Sequence, residues 1–82
     1  MTRLLVFRPA ALKDLQRLDH GTQTRILEAL GRLSKTEYGD VKKLRGEEAQ
    51  FHLRVGKWRV FFRYESPDLL IVRGIDNRGE AY

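Results

Sequence analysis

Arg54, Arg59 and Arg63 fall within one stretch of the chain, with His52 and Phe61 among them. A guanidinium presents a planar fork of donors that fits phosphate oxygens, and an aromatic ring beside it offers a surface on which a base can stack. His52 is the one nearby group whose ordinary pKa lies close to neutrality, so it can serve as an acid or base or simply as a phosphate or base contact. Val55-Gly56-Lys57-Trp58 reads as a two-residue hairpin loop, with Gly56 supplying the positive φ of a type II′ turn. That turn sets Val55 opposite Trp58, Arg54 opposite Arg59, Leu53 opposite Val60 and His52 opposite Phe61. Cross-strand partners share a face. One face then carries Phe51, Leu53, Val55, Trp58, Val60, Phe62 and Tyr64, which is core. The other carries Gln50, His52, Arg54, Arg59, Phe61 and Arg63.

The second face is unfavourable for stability alone. Arg54 across from Arg59 costs about 0.2–1 kcal/mol relative to neutral partners, and neither strand is expected to place a carboxylate there. An anion from outside would complete the arrangement, with Phe61 exposed between the arginines; solvated arginines with no ligand are the alternative. A slip of one residue would bury the arginines, so the pattern itself fixes the pairing. Upstream, the connector from Val41 to Glu48 holds Lys42, Lys43 and Arg45 without periodicity. It reads as a loop, either merely solvated or touching phosphate beside the main site.

The whole composition agrees with a polyanionic partner. Sixteen Lys and Arg stand against eleven Asp and Glu, a net charge of +5, and eleven of the cations are arginine. Such a balance favours nucleic acid over a membrane surface. Eighty-two residues make a single domain, residues 1–82, with a modest core and no space for an enclosed cofactor cavity. The absence of cysteine excludes disulfides and thiolate metal sites. No apolar run reaches the length of a membrane span, and the apolar part of the start is too short for a signal peptide. Cytoplasm is the expected location.

The elements that must hold these residues are legible in outline. Leu4–Phe7 is a short apolar strand ended by Arg8-Pro9, and Pro9 suits the first turn of a helix. Ala11, Leu12, Leu15 and Leu18 recur at helical spacing until Asp19-His20-Gly21. Thr22 is expected to cap a second helix, whose stripe is Ile26, Leu27, Leu30 and Leu33 and which ends by Tyr38-Gly39-Asp40. His20 is expected at the surface between the helices. Strands are expected at Phe51–Val55, Trp58–Tyr64 and Leu69–Val72, the last continuously apolar and so covered on both faces. Arg73 is expected to pair with a helix carboxylate, and Asp76 to serve a turn or an arginine. The order β-α-α-β-β-β predicts an α+β fold: a helical hairpin packed on one face of a small, mostly antiparallel sheet.

Three segments in order resemble the RelE/ParE toxin superfamily of type II toxin–antitoxin systems: Leu44-Arg45-Gly46, the run Phe51–Arg63, and the ending Ile75-Asp76-Asn77-Arg78-Gly79-Glu80-Ala81-Tyr82. Leucine, arginine, valine and glycine followed by one residue, an aromatic and an arginine is typical there, as is an arginine four residues before a tyrosine. The likeness covers nearly the whole chain. For the RelE branch it implies a ribosome-dependent endoribonuclease that cuts mRNA in the ribosomal A site. Arg59 matches the transition-state arginine, Arg78 the second catalytic arginine and Tyr82 the C-terminal tyrosine. Arg54 falls where the family has Lys or Arg, whereas His52 departs from a common Lys. His52, Arg54, Phe61, Arg63, Lys42, Lys43 and Arg45 are the implied RNA and phosphate contacts.

In that chemistry a 2′-hydroxyl attacks the neighbouring phosphate and expels the 5′-oxygen of the next nucleotide. Tyr82 is the implied base, with nearby arginines favouring its phenolate. Arg54 and Arg59 would hold the phosphate, and Arg78 would act on the leaving oxygen through charge and hydrogen bonding. No metal, small-molecule cofactor or membrane is expected. The implied partners are the ribosome, mRNA and a cognate antitoxin covering the basic face. ParE members share the fold, poison DNA gyrase and generally lack the arginine and tyrosine set. A non-catalytic RNA-binding module is the third possibility.

Overall fold

The apolar run Leu4–Phe7 forms β1, and Pro9 opens α1 (Pro9–Gln16), where its fixed φ and missing N–H are tolerated. Next come α2 (His20–Thr36), β2 (Val41–Lys43), β3 (Gln50–Val55), β4 (Trp58–Ser66) and β5 (Leu69–Asn77). The computed structural model describes residues 3–36, 39, 41–43 and 50–77. The five strands make one sheet in the order β1-β5-β4-β3-β2. Only β1 and β5 run parallel; the other neighbours are antiparallel. Both helices pack on one face, giving the α+β architecture expected from the element order.

Three element assignments change. The connector around Lys42 and Lys43 was expected to be a loop, yet residues 41–43 add a strand to β3, with Lys42 opposite His52. Three residues are too few to show a period of two, so the pairing comes from β3. Thr22 does not cap α2, because the helix begins at His20 and Asp19 is the capping side chain. The Thr22 amide donates to Asp19 Oδ2 at 3.0 Å and the Thr22 hydroxyl to Oδ1 at 2.6 Å. Leu69–Val72 is covered on one face only, with Leu70 and Val72 buried and Leu69 and Ile71 half-buried.

The core joins Ala11 and Leu15 of α1 and Ile26, Leu30 and Leu33 of α2 to Leu53, Val60, Phe62, Leu70 and Val72 of the sheet. Leu12 and Leu27 sit at the margins of their stripes, each 44% exposed. Phe51 stacks on Phe62 and meets Tyr64 edge-on, closing one end of this layer. Beyond Val72 the strand β5 outruns its pairing with β1. There Asp14 of α1 accepts a hydrogen bond from the Ile75 amide at 3.0 Å, tying the far end of β5 to the helix.

Gly56 has φ 61° at the β3–β4 turn, with nothing close to where a Cβ would stand. Any cost of substitution there is therefore backbone strain. Gly56→Val is expected to lower unfolding stability by about 1–2 kcal/mol, and Gly56→Asn by clearly less, because asparagine enters the left-handed region more readily. Urea denaturation of both variants checks this; equal losses would remove the turn conformation as the cause.

The two hydrogen bonds from Thr22, side chain first and amide second, hold the Asp19 carboxyl below the usual carboxylate range. A lowered folded-state pKa contributes stability above the unfolded value and loses it as pH falls through the folded one. Asp19→Ala should melt below the parent at neutral pH, and the gap should close on acidification through the carboxylate range. Thermal melts by circular dichroism at several pH values decide it, a pH-independent gap being the contrary result.

Candidate nucleic-acid interface

The β3–β4 register is the one the turn predicts: Val55 pairs with Trp58, Arg54 with Arg59, Leu53 with Val60 and His52 with Phe61. Leu53, Val60 and Phe62 are accordingly buried against the helices, with Phe51, Val55, Trp58 and Tyr64 partly buried around them. The face pointing away from the helices gathers His52 and Arg54 of β3, Arg59, Phe61 and Arg63 of β4, and Lys42 of β2. Among the described residues no element packs over that face. Lys43 pairs with Phe51 instead, so β2 offers Lys42 and not Lys43 opposite His52. Arg45, Arg78 and Tyr82 lie outside the described residues.

Phe61 is half-buried rather than exposed. His52 meets its ring edge-on, with centroids 6.1 Å apart, and the Arg59 guanidinium lies 5.5 Å from its centroid. A ring flanked by two cationic or polar groups still presents a π surface, and a guanidinium over it is favourable in itself.

The expectation that neither β3 nor β4 places a carboxylate on this face is corrected once, and a third strand adds another acid. β4 runs on to Ser66, past Tyr64, and its Glu65 accepts from Arg63 Nη2 at 2.6 Å. β5 runs on to Asn77, past Val72, and its Asp76 stands directly across from Arg59, with Oδ2 3.3 Å from Arg59 Nη2. The predicted role of Asp76 as an arginine partner is thus met. Arg73 does not meet a helix carboxylate: it is skipped by the β4–β5 pairing, between Val72 opposite Phe62 and Gly74 opposite Phe61, and it donates from Nη1 to Gln50 Oε1. Asp14, a carboxylate of α1, takes the Ile75 amide.

Sequence reasoning missed Glu65 on this face, and it left Asp76 open between a turn and an unspecified arginine. Glu65 follows Arg63 by two residues, and in a strand that spacing puts both on one face, so a longer β4 would have revealed it. Asp76 needed the β4–β5 register, which no turn residue specifies. Even with these two acids, the described residues of this face comprise five cations (Lys42, Arg54, Arg59, Arg63 and Arg73) against two carboxylates. Exposed or half-exposed pairs of this kind contribute about 0–1 kcal/mol each, so an incoming phosphate can compete with them. A crevice of about 490 Å³ lies elsewhere, between the start of α2 and the hairpin turn, lined by Asp19, Thr22, Arg25, Val55, Gly56, Lys57 and Trp58. It contains none of the arginines above, and its Asp19 is committed to the helix cap.

Comparison with known proteins agrees with this geometry. A family model described as the ParE toxin of the type II toxin–antitoxin system parDE matches residues 5–82. Among solved structures, the RelBE2 toxin–antitoxin complex from Mycobacterium tuberculosis shares 26% identity at a TM-score of 0.79, covering 95% of this chain and 100% of that one. The archaeal RelE–RelB complex from Pyrococcus horikoshii shares 27% identity at a TM-score of 0.79, covering 96% and 98%. The isolated RelE toxin of E. coli, at 16% identity and a TM-score of 0.80 over 93% and 84%, shows the same fold. No curated protein matches the sequence. The helical hairpin on a sheet whose far face carries the arginines is therefore a toxin of a type II toxin–antitoxin system, and the chain belongs to the ParE toxin family within the RelE/ParE superfamily.

Proposed function

We propose that this toxin is a metal-independent, ribosome-dependent endoribonuclease that cleaves mRNA in the ribosomal A site. The observation that carries the reading is the Arg54–Arg59 pair, held side by side across two strands on a face that no described element covers. Two guanidiniums at one cross-strand position suit the two non-bridging oxygens of a phosphate, and their charge counts most where a pentavalent phosphorane develops. Arg59 stabilises that phosphorane with Arg54 beside it. Phe61 offers a base its π surface, His52 and Lys42 contact the flanking backbone or base, and Arg63 extends the cationic track. By the family resemblance Arg78 neutralises the leaving 5′-oxygen, Tyr82 takes the 2′ proton, and Lys43 and Arg45 are further phosphate contacts. The toxin acts in the cytoplasm. Its inactive partner complex is with a cognate antitoxin, as in the similar RelBE2 and RelE–RelB complexes.

A second reading has its own support, since the family model that matches is that of ParE toxins. In it the same domain inhibits DNA gyrase without cutting RNA.

Arg59→Ala and Arg78→Ala are expected each to lower cleavage on programmed ribosomes by about 10²–10³-fold, the usual cost of removing one charge-stabilising donor, and to abolish growth inhibition. Primer extension on mRNA after brief induction should show codon-phased cuts with the parent and none with either variant. Uncut messages together with an SOS response would transfer the assignment to gyrase. RNA binding with neither outcome would leave a non-catalytic module.

A further inference from the structure

Asp76 stands in a row across three strands, with Arg59 facing it on β4 and Arg54 beyond that on β3. Its Oδ2 meets Arg59 Nη2 at 3.3 Å through one oxygen and one nitrogen, and the two side chains are 59% and 19% exposed. The arginine is therefore mostly enclosed while the acid that holds it faces water. The Phe61 ring supports the guanidinium from a second direction. The neighbouring Ile75 amide is fastened to Asp14 of α1, so the segment bearing Asp76 is anchored to the helical layer.

We propose that Asp76 is a positioning residue for Arg59: it orients the guanidinium toward a bound phosphodiester and, as a resident anion, weakens ground-state binding of RNA. This rests on the reading of Arg59 as a phosphate-holding group. The Asp76 contact restrains the guanidinium through its Nη2 nitrogen. Because Asp76 is negative, it opposes an incoming phosphate and offsets part of the Arg54–Arg59 repulsion in the free toxin. Binding and turnover should then respond in opposite senses when its charge is removed, which a merely structural residue would not produce.

The test uses the full chain and a fluorescein-labelled single-stranded RNA oligonucleotide, with anisotropy titrations over a range of NaCl concentrations. Asp76→Asn should bind more than threefold tighter than the parent: removing one unit charge about 6 Å away in water-like surroundings accounts for roughly threefold, and release of the Arg59 guanidinium from a competing anion adds to it. Its salt slope should steepen by up to about 0.7, the value of one further phosphate contact on a single strand. In an Arg59→Ala background the same substitution should tighten binding clearly less, because only the direct repulsion remains there and not the hold of Asp76 on the Arg59 guanidinium. On ribosomes programmed with mRNA, the saturating cleavage rate of Asp76→Asn should fall by roughly tenfold, with Asp76→Glu recovering most of it. Equal tightening in both backgrounds, no tightening at all, or an undiminished saturating rate would overturn the proposal. Arg59→Ala binding RNA as well as the parent would instead remove the reading of Arg59, and the proposal with it. Should the parent leave mRNA uncut, the nuclease reading fails and the binding cycle alone decides the role of Asp76.

Discussion

The β3–β4 hairpin admits only one register, because a strand alternates its side chains with a period of two. A slip of one residue at Gly56-Lys57 would turn Leu53, Val60 and Phe62 to water and drive Arg54, Arg59 and Arg63 into the helices. Each of the three apolar side chains gains about 1.5–3 kcal/mol on burial, and an arginine placed there without a partner would cost more than that. The core thus dictates where the cations go. The positive φ of Gly56 then makes the tight turn possible without strain.

That placement creates an electrostatic problem which the rest of the sheet partly relieves. Arg54 and Arg59 repel across the hairpin. Asp76 reaches Arg59 from β5, and Glu65 reaches Arg63 from the end of β4. Arg73 donates to the side-chain oxygen of Gln50 on β3. The result is a face stable enough to persist without a ligand and still positive enough to draw a polyanion. Salt should weaken that attraction, since it acts over distances comparable with the Debye length.

The helices do more than cover the core. α1 holds the far end of β5 through Asp14 and the Ile75 amide, just where β1 no longer pairs with it. α2 is started by Asp19, whose two hydrogen bonds with Thr22 satisfy donors at the helix N-terminus.

The sequence by itself determined the hairpin, its register and the separation of an apolar from a cationic face. These follow from local rules, namely the turn that Gly56 permits and the alternation of Phe51–Val55 and Trp58–Tyr64. It also determined the helical hairpin and the Pro9 start, because the apolar spacing and the proline act within a few residues. Tertiary structure alone decided the strand at Val41–Lys43, which has too few residues to show a pattern and exists by pairing with β3. It alone set Asp76 opposite Arg59 and left Arg73 unpaired in the ladder, since the β4–β5 pairing contains irregularities that shift its register. Asp19 displaced Thr22 as the cap because Thr22 is needed inside the helix, buried beneath its first turn. Alternation and turn chemistry are written along the chain, whereas an ion pair between distant strands depends on how the whole sheet comes into register.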